Sequence, residues 1–177
     1  VMDGKVLPNH LLATWGPGTS ISFWDLETGE AMGMRILTLA MNPQLEMLRD
    51  GTVLLHEGRR NTSRLDPRSG EVIAEYDRGG ELSLESAHLL DDELLVHITS
   101  SREEVAIFDS TSGERFDELR SVLLSDGGII IWSTDGGMTQ YDLESGRKLT
   151  TMGFLGEPLV SVRELNDRWI LSMSKEG

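Results

Sequence analysis

The chain of 177 residues contains no cysteine. Disulfides, thiolate nucleophiles and thiolate metal sites are therefore excluded, and a cysteine-free chain suits either redox compartment. Positive charge is scarce: 16 Lys and Arg stand against 30 Asp and Glu, a formal net charge of −14. Such a balance repels phosphate backbones and anionic headgroups, so neither nucleic acid nor a membrane surface is an expected partner. No apolar run approaches the roughly 20 residues that a spanning helix needs. The first ten residues carry neither the basic region nor the apolar stretch of a signal sequence, and a soluble, cytoplasmic protein is the expectation. The four histidines, at positions 10, 56, 88 and 97, share no register and have no helical spacing, so no metal site is expected. What the chain does have is apolar content. Its 38% apolar residues and 19 glycines bring it near the ~45–50% of globular proteins, which makes a folded chain the default.

A repeat governs the whole sequence. The segments at 23–30 (FWDLETGE), 64–71 (RLDPRSGE), 107–114 (IFDSTSGE) and 140–147 (QYDLESGR) each carry Asp, three residues, then Gly. The Asp residues 25, 66, 109 and 142 are 41, 43 and 33 apart, near the ~40–45 of a four-stranded propeller blade. Upstream of each lies a second matched segment, beginning at Leu7, Leu48, Leu90 and Leu124. The residues at 159–177 match this half-unit a fifth time, and the chain stops before the next Asp, so a fragment of a longer propeller chain is expected. The third unit is eight to ten residues short after its Gly, which marks either a deletion that curtails its outer strand or the connection to the next unit, or residues missing between units three and four.

Each unit reads as strands. The runs 11–15, 52–56, 94–99 and 129–132 are almost continuously apolar, as strands covered on both faces are. The shorter runs 20–24, 62–65, 105–108 and 138–141 alternate. Asp50-Gly51 and Asp126-Gly127 supply the positive φ of tight hairpins, with Asp91-Asp92 and Asn166-Asp167 as substitutes. In the apolar runs, Leu12, Thr14, Val53, Leu55, Val96, Ile98, Ile129 and Ile131 are expected on one side. Ala13, Leu54, His97 and Ile130 are expected on the other, with both sides packed between neighbouring blades. The fold class is all-β: a propeller of four-stranded antiparallel blades, about four plus a partial fifth, forming a single repeat domain over 1–177.

These residues resemble the WD-repeat propellers, in a divergent, bacterial-type form, and more loosely the quinoprotein-like propellers. The resemblance rests on WDLETGE at 24–30, on WSTDGG at 132–137 and on YDLESGR at 141–147. It implies the propeller fold over essentially the whole chain. The sequence departs from the WD pattern in having no Gly-His pair and only Asp135 at the inter-strand turn, where Gly18, Arg59 and Arg102 stand in the other units. The Trp that the quinoprotein-like pattern places eight residues after the repeat Asp is replaced by Gly33, Ala74, Asp117 and Thr150, so its cofactor-family docking is absent.

No residue is assigned to catalysis and no cofactor is expected. The repeat Asp residues read as turn formers, because an Asx side chain caps its own backbone and the Gly takes a left-handed conformation. The sequence points to a non-enzymatic scaffold that binds a protein or peptide. The alternative is a small-molecule sensor or enzyme domain with its site at the central channel of a propeller. The candidate partner-binding residues are Trp15, Arg59, Arg60, Arg102 and Trp132. They fall in or next to the loops at 16–19, 58–61, 101–104 and 134–137, which differ between units, whereas the Asp-to-Gly turns are near-identical. The bland alternative for both Trp residues is packing between blades, and for the Arg residues the offsetting of local acidic charge. Open terminal blades leave apolar faces and unpaired edges, so self-association through them is also expected.

Overall fold

The computed structural model describes residues 3–16, 20–36, 43–57, 61–77, 84–91, 93–99, 105–133, 137–153, 159–166 and 169–174. All of its regular structure is β. The chain divides into two compact units, 1–83 with 110–114, and 84–109 with 115–177.

The first unit holds two four-stranded antiparallel sheets. One runs in order through β1 (Asp3–Leu7), β2 (Leu11–Trp15), β3 (Ser20–Asp25) and β4 (Ala31–Ile36). The other runs through β5 (Gln44–Met47), β6 (Val53–Glu57), β7 (Asn61–Leu65) and β8 (Val72–Asp77). The second unit begins with a three-stranded sheet of β9 (Leu84–Leu90), β10 (Leu94–Thr99) and β11 (Val105–Asp109). A four-stranded sheet follows, of β12 (Arg120–Leu123), β13 (Gly128–Trp132), β14 (Gly137–Asp142) and β15 (Lys148–Gly153), and then the pair β16 (Leu159–Asn166) and β17 (Trp169–Ser174). Among the described residues no sheet closes into a barrel. These are propeller blades, mostly four-stranded, whose strands are joined in sequence order by hairpins, with the last one partial.

Local chemistry explains the hairpins. Gly51 (φ 85°) and Gly127 (φ 88°) take the left-handed position after the expected Asp residues. Their N–H groups donate to the carbonyls of Leu48 and Leu124, closing the turn. The β1–β2 turn uses Asn9 (φ 57°) and His10 (φ 59°) instead, and the β9–β10 turn uses Asp91 (φ 50°). The second residues of the other expected turns, Asp92 and Asp167, lie outside the described residues.

Apolar seams hold neighbouring sheets together. In the first unit Leu11, Ala13 and Trp15 pack with Val53, Leu55 and Leu65. In the second, Val96 and Ile98 pack with Ile129, Ile131 and Tyr141, and Ile130 and Trp132 pack with Leu159 and Val162. Each seam joins the same two kinds of face. The side bearing Ala13 or Ile130 belongs to the earlier sheet, and the side bearing Val53 or Ile129 to the later one.

Two expectations are corrected by this arrangement. Leu12, Val53 and Ile129 lie opposite Trp24, Leu65 and Tyr141, the residues that precede the repeat Asp. In the third sheet that place belongs to Leu95, opposite Phe108. One additional residue between β10 and β11 shifts the parity, and since side chains alternate, every side chain of β10 changes sides. Val96 and Ile98 therefore share the side of Ala13 and Ile130, and His97 takes the opposite one. Packing on both sides also fails for the first sheet, where Leu12 and Thr14 are only half-buried.

The short third unit is explained by its missing outer strand. After the turn at 110–114 the chain makes a single bridge, Arg115 to Phe108, with Phe116 N–H donating to the Ile107 carbonyl at 2.9 Å. Phe116 and Leu119 then pack into the seam with the fourth sheet.

Candidate interaction site

The Asp-to-Gly turns mark one end of the blades. Asp25 accepts from the N–H groups of Glu27 and Thr28 at 2.7 and 3.1 Å, and Asp66 accepts from Arg68 N–H at 2.8 Å. Asp142 accepts from both the N–H and the hydroxyl of Ser145. Two of the turns close on their Gly: Gly29 and Gly70 donate to the carbonyls of Asp25 and Asp66 at 2.8 Å. Gly29, Gly70, Gly113 and Gly146 all have positive φ, between 63° and 78°. The backbone donors at Thr28 and Glu27 hold the Asp25 carboxyl below its usual range, and the Ser145 hydroxyl and N–H do the same for Asp142. These Asp residues are engaged as turn formers, as the sequence implied.

Three of the turns also have a second task, which sequence reasoning missed: each clasps the sheet before it. Gly70 lies against the backbone of Met34, where any Cβ would collide, and Gly33 N–H donates to the Pro67 carbonyl at 3.0 Å. Gly113 lies in the same way against the backbone of Glu75. The Ser110 carbonyl of this turn accepts from Arg64 at 2.8 Å and from the Tyr76 hydroxyl at 2.7 Å. In the second unit, Asp91 N–H donates to the Gly146 carbonyl at 2.9 Å, and His88 Nδ1 lies 3.0 Å from the Leu143 carbonyl. A carbonyl only accepts, so Nδ1 carries the proton and Nε2 accepts from the Ser86 hydroxyl at 3.0 Å.

Arg64 is buried, and its charge is met by Asp50 and by Thr52 Oγ1 at 3.0 Å. Burial pushes the Asp50 carboxyl up, but the hydroxyl and N–H of Thr52 and the Arg64 guanidinium outweigh it and hold the group below its usual range. Burial lowers the pKa of His88, with the Leu143 carbonyl opposing. The signal for Arg64 was in the sequence: it is a cation two residues before the repeat Asp, where the other units carry Phe23, Ile107 and Gln140.

Of the sequence-nominated residues, the two tryptophans lie at the opposite end of the blades. Trp15 and Trp132 end β2 and β13 and are 9% and 6% exposed, each buried in a seam. Neither indole N–H has an acceptor among the described residues. Arg59, Arg60 and Arg102 lie outside the described residues, as do Asp135 and most of the loops that hold them. Among the described residues no three His, Asp or Glu side chains converge as a metal cage would require. His97 is buried instead, its ring 5.1 Å from that of Phe108.

No protein-family model matches the chain, and no curated protein does. Among solved structures it is similar to BamB from Moraxella catarrhalis, at 13% identity over 89% of this chain and 54% of that one, with a TM-score of 0.48. It is likewise similar to the Myceliophteria thermophila Cps50 (Swd1) β-propeller domain, at 13% identity over 99% of this chain and 65% of that one, with a TM-score of 0.49. The chain thus spans between about half and two thirds of the length of those structures.

Proposed function

We propose that residues 1–177 act as one WD-like repeat domain of a larger propeller protein, and that it binds a protein segment and performs no chemistry. The observation that carries this reading is the difference between the two ends of the blades. At the turn end, the glycines and carbonyls of three repeat turns are already consumed in clasping the preceding sheet. Recognition is left to the other end, where the loops at 16–19, 58–61, 101–104 and 134–137 vary in sequence on a constant frame. Trp15 and Trp132 lead into two of these loops with indole N–H groups that lack an acceptor among the described residues, and buried unpaired donors are rare in finished structures. Arg59, Arg60 and Arg102 make the loop set basic on an acidic chain, which fits an acidic or aromatic-bearing segment as the partner.

Selection of binders from a displayed peptide library, followed by fluorescence anisotropy on the selected peptides, tests the proposal. Arg59→Glu with Arg60→Glu should abolish binding and leave the melting temperature unchanged. Glu27→Arg, at the turn end, should leave binding intact. Equal binding by the double-Glu variant and the parent chain would show that the face is wrongly assigned.

A further inference from the structure

Two hairpins share a sequence and a backbone geometry but hold their carboxylates differently. Asp50-Gly51 joins β5 to β6, and Asp126-Gly127 joins β12 to β13. Gly51 and Gly127 have nearly the same φ, 85° and 88°, and a Cβ at either would meet nothing within 4 Å. In each turn the Asp Oδ1 accepts from the N–H two residues on, Thr52 at 3.0 Å and Gly128 at 2.9 Å. There the likeness ends. Asp50 Oδ1 also accepts from the Thr52 hydroxyl at 2.7 Å, and its Oδ2 is bound by the buried Arg64 guanidinium. Burial opposes ionisation of Asp50, but Thr52 and Arg64 outweigh it and keep the group below its usual range. In the fourth sheet Gly128 stands in the register of Thr52 and brings no hydroxyl, and Gln140 stands in the register of Arg64 and brings no charge. Among the described residues no cation pairs with Asp126, and Ser125, Asp126 and Gly127 are all exposed.

We propose that Asp126 is a modification site, at which the folded chain forms isoaspartate through a succinimide, and that Arg64 guards Asp50 against the same reaction. In the first step the Asp126 carboxyl takes a proton from solvent and the Gly127 nitrogen bonds to its Cγ. One carboxyl oxygen leaves as water with the N–H proton, closing the imide ring. In the second step water adds at the Asp126 backbone carbonyl and breaks its bond to the Gly127 nitrogen, which frees an α-carboxylate and returns the borrowed proton. No atom is gained or lost overall, but the chain now runs through Cβ and the turn is one backbone atom longer. Glycine after the Asp leaves the nitrogen unobstructed in both hairpins, so the carboxylate decides between them. At Asp50 the guanidinium holds it charged and fixed, and a charged carboxylate is a poor electrophile.

The change reaches the next sheet. Ser125 donates its N–H and its hydroxyl to the Glu164 carboxylate on β16, both at 2.8 Å, and a longer turn displaces Ser125 from it. The new α-carboxylate is the group that an isoaspartyl methyltransferase esterifies with the methyl of S-adenosylmethionine. This inference rests on the hairpins alone and is independent of the proposed loop-end recognition.

Incubation of the folded chain at neutral pH tests it, with isoaspartate counted in chymotryptic peptides by enzymatic methylation from S-adenosylmethionine. Cleavage after Trp132 separates Asp126 from Asp135-Gly136. Asp126 should convert several times faster than Asp50 in the folded chain, and the two should convert alike in guanidinium chloride. Gln140→Arg should suppress conversion at Asp126, and Arg64→Gln should raise Asp50 to the rate of Asp126. If Arg64→Gln fails to fold, Gln140→Arg alone decides. In the converted chain the Ser125 amide should exchange faster. Equal conversion of Asp50 and Asp126 in the folded chain would overturn the proposal. So would an Asp126 that stays intact in the folded chain while the unfolded chain converts, or one whose conversion is unchanged by Gln140→Arg.

Discussion

The clasp on β8 in the first unit and the clasp on β9 in the second solve one problem with different chemistry. Both seat a repeat Asp-to-Gly turn on the preceding blade. On β5–β8 the turn at 110–114 meets an outer strand and is held by the Arg64 guanidinium and by the Tyr76 hydroxyl. The third sheet has no outer strand to offer, and its clasp relies on a neutral, largely buried His88 and on one backbone bond from Asp91. The difference teaches that the outer strand is dispensable when the turn can reach the first strand and its hairpin. It also teaches that the substitute is tied to a titratable group.

Glycine substitutions should separate clasped from unclasped turns with the largest effect. Gly70→Ala and Gly113→Ala each add a left-handed penalty of about 1–2 kcal/mol to a backbone collision worth about 1–3 kcal/mol. Gly29→Ala should show only the first part, and urea unfolding of the three variants measures the gap. Next in size is Arg64→Ala, expected to cost about 2 kcal/mol because it removes the charge-assisted hydrogen bonds to the Ser110 carbonyl and to Asp50, whose carboxylate is exposed to water. Tyr76→Phe should cost about 1 kcal/mol, the value of one hydrogen bond. Comparable losses from the two would mean that Arg64 is not the main support of that turn.

The smallest effect separates the clasps by pH. The folded pKa of His88 lies below its ordinary value, so its stabilisation is complete above about pH 6.5 and is lost as pH falls through the folded value. The folded pKa of Asp50 also lies below its ordinary value, so its contribution is held above about pH 4 and lost only in stronger acid. Mild acidification should therefore raise hydrogen exchange around β9 and the turn at 142–146 before it affects β7 and the turn at 110–114. His88→Gln should flatten that early response.

The blades were legible because their signals are local. An Asp-to-Gly turn, a Gly at left-handed φ and an apolar run each report on the residues that carry them. The parity of β10 was legible too, in one number: Leu90 to Asp109 spans 19 residues, where Leu7 to Asp25, Leu48 to Asp66 and Leu124 to Asp142 span 18. A gap-free match to the repeat Asp hides that extra residue. The clasps were not legible. Arg64, Tyr76 and His88 act on the turn of the following repeat, so their partners lie 34 to 55 residues away in sequence. The burial of Trp15 and Trp132 followed from their register, whereas their unpartnered N–H groups depend on which carbonyls the seams bring close.

Residue-resolved amide exchange of Gly33 and Asp91 tests the clasps most directly. In each case the N–H donates to a carbonyl of the next repeat's turn, Pro67 for Gly33 and Gly146 for Asp91. Both amides should exchange slowly in the parent chain at neutral pH, and Gly70→Ala should accelerate Gly33 while leaving Asp91 protected. Exchange of both at the rate of exposed turn amides in the parent chain would contradict the account.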